Sequence, residues 1–151
     1  MKKSSRLSLA LHALVHLSKQ PEETMTSATL AQCLMTNPVV VRRVLGQLRA
    51  AGLVLSSKGH EGGWRLARGA EAISLFEVHA AMGENLLIRI GADAGEKGCG
   101  IVRAVNAMMG EFLDDAEALL AARLKRVSLA AIAATATPHP LYPLNGDHQH
   151  E

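Results

Sequence analysis

Aromatic residues are almost missing from this chain: one Trp, one Tyr and two Phe serve 151 residues. Sheet-rich domains lean on such side chains, so their scarcity beside abundant alanine favours helices. Cysteine is scarce too, and two thiols make no disulfide framework, which suits a reducing compartment. No window reaches the apolar length of a membrane span. The opening MKKSSRLSLALHALVHL has the cationic start of a secretion signal. Arg6, His12 and His16 interrupt its apolar run, however, and no small-residue cleavage site follows before Gln20-Pro21. It reads as a mature helix of a cytoplasmic protein. The arrangements that catalysis needs are also lacking. There is no Ser/His/Asp order and no paired carboxylate set, and Gly59–Gly63 lacks the lysine-serine end of a phosphate-binding loop. The chain is not expected to be an enzyme.

What is present is a division of charge. Residues 1–69 hold ten Lys/Arg against three Asp/Glu, whereas residues 70–151 hold six against eleven. A basic first half suggests a polyanion-facing domain, joined to something that faces away. The length allows one ordinary core, or one small domain with an oligomerising extension.

The stretch from Asn37 to Arg68, NPVVVRRVLGQLRAAGLVLSSKGHEGGWRLAR, is the most informative. Asn37 is a good N-cap and Pro38 suits the first helical position. Val41, Val44, Leu45 and Leu48 recur at helical spacing and define a buried face, while Val39, Arg43, Gly46 and Ala50 fall opposite, flanked by Arg42 and Gln47. Gly52 ends the helix. Leu53–Ser57 and Trp64–Ala67 read as strands of a hairpin whose tip, Lys58–Gly63, holds three glycines. A short exposed helix followed by a basic hairpin is what a winged helix-turn-helix needs to read DNA.

The surrounding elements agree. Leu7, Ala10, Leu11, Leu14, Val15 and Leu17 stripe a first helix over Arg6–Lys19, and Gln20–Thr26 is a loop. Thr26 or Ser27 caps a short helix through Leu34, with Leu30, Cys33 and Leu34 facing inward, and Met35–Asn37 is a tight turn. Ser74 and Glu77 form a capping box for a helix ending at Gly83. Leu86–Gly98 is a loop with few hydrophobes. A long helix over Gly100–Arg123 presents one apolar row of Ile101, Val105, Met108, Phe112 and Leu119. Its second row is Val102, Met109, Leu113, Ala116, Leu120 and Leu124. Two adjacent rows exceed what one small domain covers, so a dimer interface is expected. Ser128 starts a last helix, Leu129–Ala134, and the Pro/His-rich remainder reads as disordered.

In order, SRLSLALHALVHL, TNPVVVRRVLGQLRAAGLV, KGHEGGWRLAR, ISLFEVHAAMG and the long helix followed by VSLAAIAA resemble the Rrf-two family of bacterial winged-helix transcription regulators. The family includes iron–sulfur, nitric-oxide-sensing and cysteine-metabolism regulators. The resemblance spans roughly Lys3–Ala134, and AGLV…KG..GGW.LAR is its specific part. It implies a homodimer on a palindromic operator in double-stranded DNA, usually a repressor, with a sensor segment beside the dimer helix. Cluster-binding members place three cysteines before and at the start of that helix. Here only Cys99 stands there, so the resemblance is to the cysteine-poor branch, with no cluster, cofactor or metal expected. Cys99 lies between Gly98 and Gly100 at the start of the long helix, two residues after Lys97. That residue either fills space at the junction or acts as a redox-sensing thiol. Cys33 reads as a small hydrophobe. His12 and His16 have metal-ligand spacing but share a face with Ser5, Ser8 and Lys19, which reads as solvated surface.

The expected fold is mainly α with a small β-hairpin: a winged helix-turn-helix plus a long dimerisation helix. It divides into a DNA-binding domain at 1–83, a sensor loop at 84–98, the dimerisation helix with its short successor at 99–134, and a tail at 135–151. Val39, Arg43 and Gln47, entered through Asn37, would face base edges. Arg42, Arg49, Lys58 and Arg65 would neutralise phosphate, and Gly59, His60, Gly62 and Gly63 would approach the minor groove. Trp64 would anchor the wing by packing. An oxidant or electrophile acting on Cys99 would release DNA. The alternatives are control by a non-covalent ligand or partner protein, and a winged-helix module that docks on protein instead of DNA.

Overall fold

The structure, a computed structural model, describes residues 6–60, 62–84 and 99–136. The expected sensor loop, apart from Glu84, and the tail beyond Ala136 lie outside the described residues, as does Glu61. The elements run α1 (Arg6–Lys19), α2 (Ser27–Cys33), α3 (Pro38–Ala50), β1 (Val54–Ser57), β2 (Gly63–Leu66), a 3-10 turn at Ala70–Ala72, α4 (Leu75–Met82), α5 (Gly100–Lys125) and α6 (Leu129–Thr135).

Among the described residues two compact units are present, one of residues 6–60, 62–84 and 125–136 and one of residues 99–124. In the first, the apolar stripe of α1 packs against α3 and α4, and α2 packs against α3. Leu14, Leu30, Leu45, Leu48 and Val78 are fully enclosed there. The strands pair antiparallel, Val54 opposite Leu66 and Ser57 opposite Gly63. β1 ends at Ser57 as read in the sequence, and the other three strand bounds shift by one residue. Ala67 N–H still donates to Leu53 carbonyl at 3.0 Å, so the ladder frays there. Caps fall where the sequence places them. Thr26 caps α2, and the Ser74–Glu77 capping box opens α4, which ends at Gly83 in the left-handed conformation.

Two placements differ from the sequence reading. The short helix grouped with the dimer helix, α6, instead packs in the first unit, against α1 and the 3-10 turn. Leu75 N–H donates to Val127 carbonyl, and Leu129 N–H to Ile73 carbonyl, each at 2.8 Å. His16, read as solvated, is only 3% exposed, although His12 beside it is open. Lys19, on the same side of α1, reaches the Ala133 carbonyl of α6 at 3.1 Å, so a distant element covers this polar side. The two imidazoles stack with centroids 5.0 Å apart. Burial pushes both below the ordinary histidine range, and for His16 the neighbouring His12 charge adds to it.

Candidate nucleic-acid interface

Asn37 holds extended backbone and accepts a hydrogen bond from Val39 N–H at 2.8 Å, which starts α3 at Pro38. Val41, Val44, Leu45 and Leu48 then bury one side of α3, and Val39, Val40, Arg42 and Arg43 stand in solvent. The hairpin is fastened to the helix-turn-helix through Trp64. Its indole N–H donates to Ser27 Oγ at 2.9 Å, and its ring packs on the core. Its backbone also exchanges hydrogen bonds with Met25, at 2.9 and 2.8 Å. Met25 is thus a one-residue third strand. Trp64 is spent on this anchoring, as the sequence reading held.

The same bridge explains a glycine. A Cβ on Gly63 would lie 2.7 Å from the Met25 carbonyl oxygen, so nothing larger fits. Gly62 is similarly enclosed by the hairpin's own backbone, and Gly59 turns at φ +103. The folded chain therefore already accounts for the three tip glycines, whatever they meet outside it.

Arg42, Arg43, Lys58 and Arg65 are exposed and have no hydrogen-bond or ion-pair partner among the described residues. Arg49 differs. It donates to Ser56 Oγ at 2.9 Å and lies over the Trp64 ring at 5.7 Å, so it ties α3 to the hairpin while keeping its charge at the surface. Gln47 is half-buried, its Oε1 shielded and without a partner among the described residues. It does not stand free as Arg43 does. His60 is exposed at the tip. From Thr24 through His60 the sequence holds no Asp or Glu, so α3 carries no carboxylate; at the hairpin tip, Glu61 follows His60 in sequence, and Glu22 and Glu23 line one cavity with His60 and Gly62. Ser27 and Met25 are positioning residues that the sequence reading missed. Their partner lies nearly forty positions away, and a single bridging residue has no periodicity.

In the second unit, Ile101, Val105, Met108, Phe112 and Leu119 line up along α5, each more than half exposed. Cys99 is exposed, and its carbonyl accepts from Arg103 N–H at 3.1 Å, at the position that opens α5. Cys33 on α2 is half-buried, and burial pushes its thiol up against the opposing effect of a backbone hydrogen bond.

A family model described as Rrf2, iron-dependent transcriptional regulator, matches residues 3–135. The chain belongs to the Rrf2 family. A candidate HTH-type transcriptional regulator of Lactococcus lactis, YffB, is 32% identical over 88% of this chain and 87% of its own. A crystal structure named as that of a candidate DNA-binding protein is 27% identical over 85% of this chain and 98% of its own, with a TM-score of 0.69. The structure of CymR, the global cysteine regulator of Bacillus subtilis, shares the fold at 19% identity. It covers 91% of this chain and 99% of its own, with a TM-score of 0.62. This Rrf2 protein is therefore a winged-helix transcriptional regulator and not an enzyme. The iron in the family's description finds no donor set among the described residues. The chain holds two cysteines, on different units, and among the described residues no three His, Cys, Asp or Glu side chains come together. An iron–sulfur cluster does not fit this donor set. No helix among the described residues is long and apolar enough to cross a membrane.

Proposed function

We propose that this Rrf2 protein is a homodimeric, sequence-specific repressor that acts in the cytoplasm on palindromic double-stranded DNA. The observation that carries the reading is the carboxylate-free α3, whose Arg42 and Arg43, with Lys58 and Arg65 of the hairpin, are exposed and have no partner among the described residues. Arg43 and Val39 enter the major groove with Gln47. The shielded Gln47 amide gains a donor by swinging onto an adenine edge. Arg42, Lys58 and Arg65 neutralise phosphates, Arg49 adds its charge beside them, and the tip at Gly59–Gly63 with His60 follows the minor groove. The exposed row of α5 supports dimerisation, since a second copy would cover Phe112 and its neighbours and set the two recognition helices about one DNA turn, roughly 34 Å, apart.

Release is the finer part of the reading. Cys99 is open to solvent at the foot of the dimer helix, where oxidation or electrophile addition puts bulk or charge. A small tilt there alters the half-site spacing. The test compares wild type, Cys99→Ser and the control Cys33→Ser for DNA binding before and after a mild oxidant or a quinone. Wild type and Cys33→Ser are expected to release DNA and Cys99→Ser to hold it. If Cys99→Ser releases like wild type, the thiol is not the switch. If no protein responds, control by a non-covalent ligand replaces it.

A further inference from the structure

Two local costs fall together on the helix-turn-helix, and packing explains neither. The first is Met35. At the end of α2, Thr36 N–H donates to the Ala31 carbonyl at 3.0 Å and Met35 N–H to the Gln32 carbonyl at 3.2 Å. This is a Schellman closure, whose left-handed position is normally glycine. Met35 occupies it at φ +52 and is the one non-glycine residue with positive φ among the described residues. A methionine tolerated there for packing would be buried, yet Met35 is 73% exposed. The second cost is Gly46, in the middle of α3. Glycine weakens a helix interior, and here a Cβ would meet nothing within 4 Å. The folded chain has room for alanine and does not use it.

Both positions flank the exposed start of α3, where Val39 is 52% and Val40 39% exposed. Met35, Val39 and Val40 make an apolar patch at the end of a recognition helix that reaches base edges first. The only apolar group that duplex DNA shows in its major groove is the thymine 5-methyl. Arg42 and Arg43 adjoin the patch, and no carboxylate occurs from Thr24 to His60, so a polyanion suits this surroundings better than a protein does. Local strain and lost helix propensity at one surface mark a place where binding outweighs stability.

We infer that Met35, Val39 and Val40 read thymine methyl groups, with Gly46 as the point where α3 comes closest to the DNA. This rests on the DNA-binding reading above and specifies what that face selects.

The test uses the full-length protein and duplexes that it enriches from a random pool. Each enriched duplex is compared with a copy carrying uracil for thymine, which removes only the methyls. Wild type is expected to lose about fourfold in affinity per contacted methyl. Met35→Gly and Val39→Ala bind the thymine duplex more weakly, and the thymine-to-uracil ratio narrows for each. Met35→Gly and Gly46→Ala melt several degrees above wild type, because each removes a local cost, while Gly46→Ala binds the enriched duplex more weakly. Equal wild-type affinity for the two duplexes, or variants that keep the full ratio, would overturn the methyl reading and leave DNA binding intact. Failure to enrich any duplex, with no salt-sensitive binding, would overturn both.

Discussion

At the scale of single residues, the exposed cations of the proposed interface would have different work to do. Arg43 on the outward side of α3 and Lys58 at the hairpin have no partner among the described residues. A guanidinium that pairs bidentately with guanine is lost only at its own base pair, whereas an ammonium on phosphate is lost everywhere. Arg43→Ala is therefore expected to cost about 1–3 kcal/mol at the operator and to relax discrimination at one position. Lys58→Ala should weaken specific and random DNA alike. Anisotropy titrations on both duplexes distinguish the two. Equal losses that ignore sequence for both variants would mean that α3 does not read bases. Arg49 warns against treating every arginine alike, because its contacts with Ser56 and Trp64 make it a fastener of the fold as well.

At the scale of elements, local signals were legible and distant ones were not. Asn37-Pro38, Ser74 with Glu77, and Gly83 mark helix ends through chemistry confined to one turn, and the structure has those ends. The buried face of α3 followed from spacing alone. His16 was misread because its side of α1 is polar by sequence, and what covers that side is α6, more than a hundred residues later. The Met25 bridge was invisible for the same reason, and with it the need for glycine at 63. On α3, Arg42 and Arg43 are exposed as the periodicity placed them, while the shielded amide of Gln47 depends on packing that no helical wheel contains.

The capping box of α4 makes a pH prediction at this same scale. The Ser74 N–H holds the Glu77 carboxyl below the ordinary carboxylate range, helped by the Ser74 hydroxyl and by Arg68, against a smaller opposing effect of burial. A folded-state pKa below the unfolded one contributes stability that is full above the unfolded value and is lost as pH falls through the folded value. Thermal melts of wild type should therefore decline below about pH 4.5 more steeply than those of Glu77→Gln, which lacks the titrating group. At neutral pH, Ser74→Ala should cost about 1 kcal/mol through the lost cap. Identical acid slopes for wild type and Glu77→Gln would show that the carboxylate adds nothing.

At the scale of the whole molecule, α5 poses the remaining question of assembly. A 26-residue helix with Ile101, Val105, Met108, Phe112 and Leu119 exposed in a row is poorly suited to stand alone in water. Phe112→Asp places a carboxylate in the middle of that row. If two copies meet there, the variant buries an unpaired charge and should sediment as a monomer or aggregate, with operator binding lost. An intact dimer in sedimentation equilibrium would remove this row from the interface.

The central claim is that the exposed cations of α3 and the hairpin neutralise DNA phosphate. The most direct measurement is the affinity of the full-length protein for a duplex as a function of salt. Arg42, Arg49, Lys58 and Arg65, each acting on one phosphate per protomer, give a dimer a log–log slope of about −7, and Lys58→Ala should bring it closer to zero by about two units. A slope near zero, or one that Lys58→Ala leaves unchanged, would contradict the account.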